Sequence, residues 1–290
     1  MKAELLYSSQ CYLGEGPLWD AASGVFYWLD INAARVYARG WKDGYVRHWD
    51  FDDAVGFAAL GRDDELLLAT GTTLNRFDTV TGNLEKLVDL EPGRPDHRCN
   101  DGCVDAKGRP WVGTTHRDHL HEAGALYMIG TDLRVRKMLD RLTITNGMCW
   151  SPDGSRLYHI DSPTAKVQCF LKDPVTDHLH WERTAVTIPS GLGNPDGMTM
   201  DAEGMLWIAH WGGYGVYRWD PLTGALLGRI DVPAPHVSSC VFAGPSLDQL
   251  VITTARKEMS AAALDAYPQS GDVFIAEPGV KGVPALRRRE

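Results

Sequence analysis

One phrase occurs six times in this chain, and that repetition restricts the fold more than any single motif. Each copy opens on a small or polar residue, runs through a short apolar stretch to a turn, and enters a second apolar stretch. The copies are EGPLWD at 15–20, GFAALG at 56–61, NDGCVD at 100–105, NGMCWS at 146–151, DGMTMD at 196–201 and SSCVFA at 238–243. Their starts are separated by 41, 44, 46, 50 and 42 residues. A period of roughly 40–50 residues filled with short strands is the spacing of propeller blades. A third apolar stretch follows in every unit, at 35–38, 74–77, 125–129, 167–170, 216–219 and 273–276. Three of these lead into turns headed by Asp: DTVTG at 78–82, DPVTD at 173–177 and DPLTG at 220–224. Asp and Pro initiate such turns, and Gly supplies a left-handed position.

The last unit runs out. After residues 273–276 comes PGVKGVP at 278–284, a poor outer strand, whereas residues 3–7 (AELLY) stand spare before the first unit. The expected architecture is therefore all-β: a single six-bladed β-propeller domain over residues 1–290. The N-terminal strand joins the last blade and closes the ring, which removes an open sheet edge.

Charge and composition exclude several function classes. The net charge of −9 argues against a nucleic-acid or anionic-membrane partner. No apolar run approaches the roughly 18 residues of a membrane span. The start of the chain lacks the features of a secretory leader, and the six cysteines form no CxxC pair. These features lead to the expectation of a cytoplasmic protein, monomeric or weakly homo-oligomeric. Arg287, Arg288 and Arg289 read as a solvated tail.

In a propeller the innermost strand of each blade lines a central channel. Aligning the six phrases puts Glu15, Gly56, Asn100, Asn146, Asp196 and Ser238 at one equivalent position. Four of these carry carboxylates or carboxamides, groups costly to bury without partners. A hydrated polar channel is the plainer reading. The sharper one is a cation. Glu15, Asn146 and Asp196 offer only oxygen, which suits hard divalent ions such as Ca²⁺, Mg²⁺ or Mn²⁺. Neither Cys nor His occupies the ring, which argues against a closed structural zinc site.

Histidines elsewhere weigh less. His116, His119 and His121 fall in the segment 115–123 between two strands and read as a polar surface loop or lid. His210 and His236 are equally compatible with the core and with the mouth of the site. The tryptophans recur at strand positions and read as packing between blades. No phosphate-binding loop, dinucleotide fingerprint or serine nucleophile elbow is present.

The motifs LGEGPLW (13–19), RCNDG (98–102), TNGM (145–148), NPDGM (194–198), AHWGG (209–213) and TTAR (253–256) run in order along nearly the whole chain. Together they resemble the senescence-marker-protein/gluconolactonase family, which includes regucalcin-like proteins and sugar lactonases. The resemblance implies a six-bladed propeller that binds one divalent metal ion (Ca, Zn, Mg, Mn or Fe(II)) and hydrolyses a small-molecule sugar lactone. It implies Glu15, Asn146 and Asp196 as metal ligands, and Arg98 and Asn100 as substrate contacts. Asp118 falls where the family often carries an acidic residue on the loop over the site. Cys99 departs from the family, which commonly has Pro or an aromatic residue there.

The mechanism expected on this basis is polarisation of the lactone carbonyl by the metal and addition of water, with Asp196 as the base that orients or deprotonates it. Two rivals share the site: a promiscuous metal-dependent esterase or phosphotriesterase, and a non-catalytic calcium-binding propeller.

Overall fold

A computed structural model describes residues 1–289. Its strands form six four-stranded sheets. Five are consecutive along the chain. In the sixth, Val237–Ala243, Gln249–Thr254 and Val273–Ala276 are completed on the outside by Glu4–Tyr7, which pairs antiparallel with Val273–Ala276. The innermost strands of the other blades are Gly14–Asp20, Val55–Leu60, His97–Val104, Thr145–Trp150 and Asn194–Met200. Each innermost strand packs against those of the blades on either side, and that of blade one meets that of blade six, so the ring closes. This is the expected six-bladed β-propeller with its N-terminal strand in the last blade.

The repeated phrase has a local cause. Its terminal Asp folds back on the turn that follows: Asp20 Oδ1 accepts from Ala22 N at 3.0 Å, Asp105 Oδ1 from Lys107 N at 2.9 Å and Asp201 Oδ1 from Glu203 N at 3.0 Å. The turns after the third strands use the same device. Asp78, Asp173 and Asp220 each accept from the backbone N–H groups two and three residues on. The side chain substitutes for a backbone acceptor and fixes where each strand stops.

Between blades the core is apolar and aromatic. Trp28 and Trp111 are fully buried, and Trp28 stacks on Tyr37 with ring centroids 4.8 Å apart. Trp181 is the exception, being exposed on an outer strand. One short helix, Ala261–Ala266, capped by Ser260, connects the second and third strands of blade six. Among the described residues no helix is long and apolar enough to cross a membrane.

The C-terminal segment differs from the expected solvated tail. Arg287 bridges to Leu60, Arg288 N donates to Leu60 O at 2.9 Å, and Arg289 N donates to Gly108 O at 3.2 Å. The Arg287 guanidinium pairs with Asp20. Backbone acceptors left free by blades two and three, and one carboxylate, hold what composition alone leaves loose.

Candidate functional site

Every innermost strand breaks register with its neighbour at the position where the six phrases begin. The shifts fall between Glu15 and Leu18, Val55 and Phe57, Cys99 and Asp101, Asn146 and Met148, Pro195 and Met198, and Val237 and Ser239. A bulge inserts an unpaired residue and re-aims the side chains beside it. Here the bulges accompany convergence of Glu15, Asn100, Asn146 and Asp196 on one cavity of about 200 Å³ at the axis. Glycine permits the crowding. A Cβ on Gly56 would overlap the Cys99 carbonyl, and one on Gly147 would meet the Asp196 carbonyl and Met198.

Arg98, Glu15, Asn100, Asn146 and Asp196 all line this cavity and are all buried, at 5–7% exposure. A directed chain of hydrogen bonds orders them. Arg98 Nη1 donates to Asn100 Oδ1 at 2.6 Å, and Asn100 Nδ2 donates to Asn146 Oδ1 and to Thr145 O, both at 2.8 Å. Asn146 Nδ2 donates to Ser162 Oγ at 2.8 Å, and Ser162 donates its only proton to Pro195 O at 2.6 Å. Ser162 must therefore accept from Asn146, which fixes the amide: Nδ2 toward Ser162 and Oδ1 toward Asn100. One lone pair of Asn146 Oδ1 remains unused by this chain of bonds.

The electrostatics of the cavity are unbalanced. Burial, then the charges of Asp196 and Asp101, push the Glu15 carboxyl well above the usual range. Burial and Asp101 do the same to Asp196, against the pull of Lys257 and Arg98. Asp101, on the far side of the bulge, is pushed up to about 7 by burial. Arg98 is pulled down to about 10 by burial and then by Arg117, and remains a cation at neutral pH. Among the described residues neither Glu15 nor Asp196 has an ion-pair partner; Glu15 Oε2 accepts only from Gly16 N, at 2.8 Å.

Two buried, unpaired carboxylates beside an oriented carboxamide oxygen form a donor set that suits a hard divalent cation. The set has only two charged members. Among the described residues no three His, Cys, Asp or Glu side chains converge on one point.

The loop of blade three separates its histidines. His116 is buried and packs edge-on against His97, with centroids 5.4 Å apart. His121 is exposed. His119 reaches the cavity wall, where its Nε2 lies 3.3 Å from Lys257 Nζ. Asp118 does not join the site: its side chain is 84% exposed and it is absent from the cavity wall. The backbone turns at His119, in the left-handed region at φ 54°, and brings the next side chain inward in place of Asp118. His210 is buried and stacked on Tyr217, 4.0 Å between centroids, so it belongs to the core. His236 stacks on Trp211 at 4.2 Å, behind the wall that Trp211 helps to form.

Ser162, His119 and Lys257 are site residues that the repeat pattern does not single out. Ser162 lies sixteen positions past Asn146 in a short 3-10 turn, Ser162–Thr164, and only its neighbour Pro163 signals that turn. Lys257 follows the TTAR motif directly, the one sequence signal that pointed near it.

A second, larger cavity of about 490 Å³ occupies the other half of the channel. Its wall includes Met148, Met198, Met200, Phe57 and Phe242 and is completed by Val283, Pro284, Ala285 and Leu286 of the C-terminal segment.

Residues 13–256 match the SMP-30/Gluconolactonase/LRE-like region. Regucalcin of Pongo abelii is 32% identical over 289 residues, covering 98% of this chain and 97% of that protein. The crystal structure of a calcium-binding protein, regucalcin, from Agrobacterium tumefaciens superposes with a TM-score of 0.95 at 30% identity, covering 100% of this chain and 98% of the other. A gluconolactonase from Xanthomonas campestris superposes with a TM-score of 0.75 at 25% identity, over 93% and 87% of the two chains. The fold, the ordered motifs and these likenesses agree, and the chain belongs to the SMP-30/gluconolactonase family.

Proposed function

We propose that this protein is a metal-dependent lactonase that opens a sugar lactone to the corresponding aldonic acid. The observation that carries the reading is the convergence of Glu15, Asp196 and the oriented Asn146 carbonyl with Arg98 and Asn100 in one cavity. Glu15, Asn146 and Asp196 would hold a divalent ion. Such an ion supplies Lewis-acid polarisation of a carbonyl.

The chain's own residues do the rest. Arg98 spends Nη1 on Asn100 and on the Cys99 carbonyl, and Nε and Nη2 have no protein acceptor among the described residues. Those N–H groups point the reading toward ring and hydroxyl oxygens of a polar substrate. Asn100 braces Arg98 and Asn146 at once, which keeps the substrate contact and the cation ligand in fixed relation. Asp196 orients the attacking water and takes its proton. The water oxygen bonds to the carbonyl carbon, the ring C–O bond breaks, and the ring oxygen leaves protonated as a hydroxyl of the open acid.

The test is a pH-stat assay of pentono- and hexonolactones on metal-depleted protein before and after return of single metals. Hydrolysis above background that needs the metal and is lost in Asp196→Ala supports the reading. Turnover indifferent to both overturns it. A second reading, a calcium-binding propeller without turnover, is favoured by the description of the Agrobacterium relative as a calcium-binding protein. It predicts a metal-dependent rise in melting temperature with no hydrolysis of any lactone or aryl ester.

A further inference from the structure

Lys257 is an unusual cation. Its side chain is only 19% exposed, and the one carboxylate within ion-pair distance of it among the described residues, that of Glu258, is 3.8 Å away, with the charge of Asp196 acting on it from further off. Both residues line the axial cavity. The main chain at Lys257 is pinned from two sides: its N–H donates to Tyr12 O at 2.8 Å, and its carbonyl accepts from His236 Nδ1 at 3.0 Å. From that anchor the ammonium reaches His119 Nε2.

The partner's protonation follows from its own bonds. Thr115 Oγ1 donates to Thr143 O at 2.8 Å, so it accepts from His119 Nδ1, 3.3 Å away. With the proton on Nδ1, Nε2 is an acceptor and Lys257 is the donor. Lys257 follows the second strand of blade six, and His119 belongs to blade three. Blades three and six face each other across a six-membered ring, so this bond spans the mouth of the cavity. One ammonium proton is taken by His119, which leaves two for whatever enters.

We propose that Lys257 is a substrate-binding residue that, positioned by His119, donates to hydroxyl groups of the lactone at the cavity mouth and sets a preference for polyhydroxylated rings over bare ones. The proposal rests on the lactonase reading and deepens it. An ammonium distinguishes a ring that carries hydroxyl acceptors from one that does not, because a bare ring leaves its donors unsatisfied in a mostly buried position. Arg98 acts beside Glu15 and Asp196, while Lys257 acts where the substituents of the ring emerge.

The experiment compares D-gluconolactone with δ-valerolactone, the same ring without hydroxyls, in wild type and in Lys257→Met. Methionine keeps the length and loses the donors. The ratio of kcat/KM for the hydroxylated to the bare lactone is expected to fall by roughly tenfold or more, the scale of one lost hydrogen bond to a charged donor, and mainly through KM. His119→Ala is expected to reproduce part of that fall, and His119→Gln, which restores an acceptor, to recover it. An unchanged ratio, or an equal loss on both lactones, overturns the proposal. A hydrolysis-inert polyhydroxylated lactam, titrated calorimetrically against wild type and Lys257→Met, separates the two readings. Absence of wild-type turnover sinks the lactonase reading. Equal lactam affinity in the two proteins sinks the role of Lys257 whether or not turnover is seen.

Discussion

Asn146 Nδ2 lies 2.8 Å from Ser162 Oγ, and this bond, together with that from Asn100 Nδ2 to Asn146 Oδ1, orients the Asn146 carboxamide in the cavity. Ser162 spends its proton on the Pro195 carbonyl, so it can only accept. Removing the hydroxyl strands Asn146 Nδ2 without its acceptor and leaves the carboxamide held only by the bond from Asn100 Nδ2 to Asn146 Oδ1, so the cation ligand is less firmly placed. Ser162→Ala is expected to weaken divalent-metal affinity by about 10- to 100-fold, the range typical of outer-sphere changes, while the melting temperature of the metal-free protein moves little. Ser162→Thr, which keeps the hydroxyl, is expected to restore the affinity. Calorimetric titration with Ca²⁺ and with Mn²⁺ measures both.

Glu15 and Asp196 oppose each other in the cavity, and that opposition has a thermal signature. Glu15→Gln removes a buried carboxyl whose ionisation is opposed by burial and by Asp196 and Asp101, and keeps an oxygen that can accept from Gly16 N. The metal-free variant is expected to melt roughly 2–4 °C above wild type, as relief of about 1 kcal/mol would give in a chain of this size. The same change is expected to abolish the rise in melting temperature that added metal gives the wild type. A variant that melts no higher without metal, or that still responds fully to it, contradicts the account of the site. Differential scanning fluorimetry with and without chelator suffices.

Away from the axis, Arg109 of blade three grips Asp177 of blade four with Nη1 at 2.6 Å and Nη2 at 2.8 Å, and both side chains are at least nine-tenths buried. Hydrogen bonding to Arg109, and then to Lys107, holds the Asp177 carboxyl well below the usual carboxylate range. For a depressed acid the sign is fixed: the stabilisation is fully present above the unfolded value of about 3.9 and is lost as pH falls toward the folded value. Asp177→Asn is expected to lower stability by about 2 kcal/mol at pH 7 and to flatten the loss of stability below pH 4. Urea unfolding at pH 7 and at pH 3 tests both halves.

The C-terminal segment completes the wall of the larger cavity, which Val283 to Leu286 line together with Met148, Met198 and Phe242. Deleting the chain from residue 283 onward is expected to lower the melting temperature by roughly 2–4 °C and to raise binding of a hydrophobic dye, as the apolar channel opens to solvent. The smaller cavity, which holds Glu15, Asn146 and Asp196, shares none of those wall residues. Metal affinity in the truncated protein is therefore expected to match wild type in the same calorimetric assay.

The architecture was legible because five of the six blades reuse one physical device, an aspartate that bonds the turn it begins, and a repeated device leaves a repeated phrase. The axial position was legible for the same reason. Glu15, Asn100, Asn146 and Asp196 stand at one place in that phrase, and the structure brings them to one cavity. Ser162 and Lys257 lie in connections between strands, where no period constrains the residue. Their roles depend on contacts with Asn146 and His119, and the second of these crosses 138 positions of sequence. Asp118 lies one residue from His119, and a single left-handed turn of the backbone determines which of the two side chains faces inward. The docked arginines of the C-terminus were illegible because their acceptors are mostly backbone carbonyls, which no side-chain pattern announces.

The pairing of Glu4–Tyr7 with Val273–Ala276 also orders events during synthesis. Glu4–Tyr7 must wait to find its place, since its partner lies more than 260 residues further along the chain. Until then five blades stand as an open arc whose terminal edges carry unpaired backbone groups. Any pause before the final blade is the moment when the chain is most exposed to joining a neighbour instead of itself.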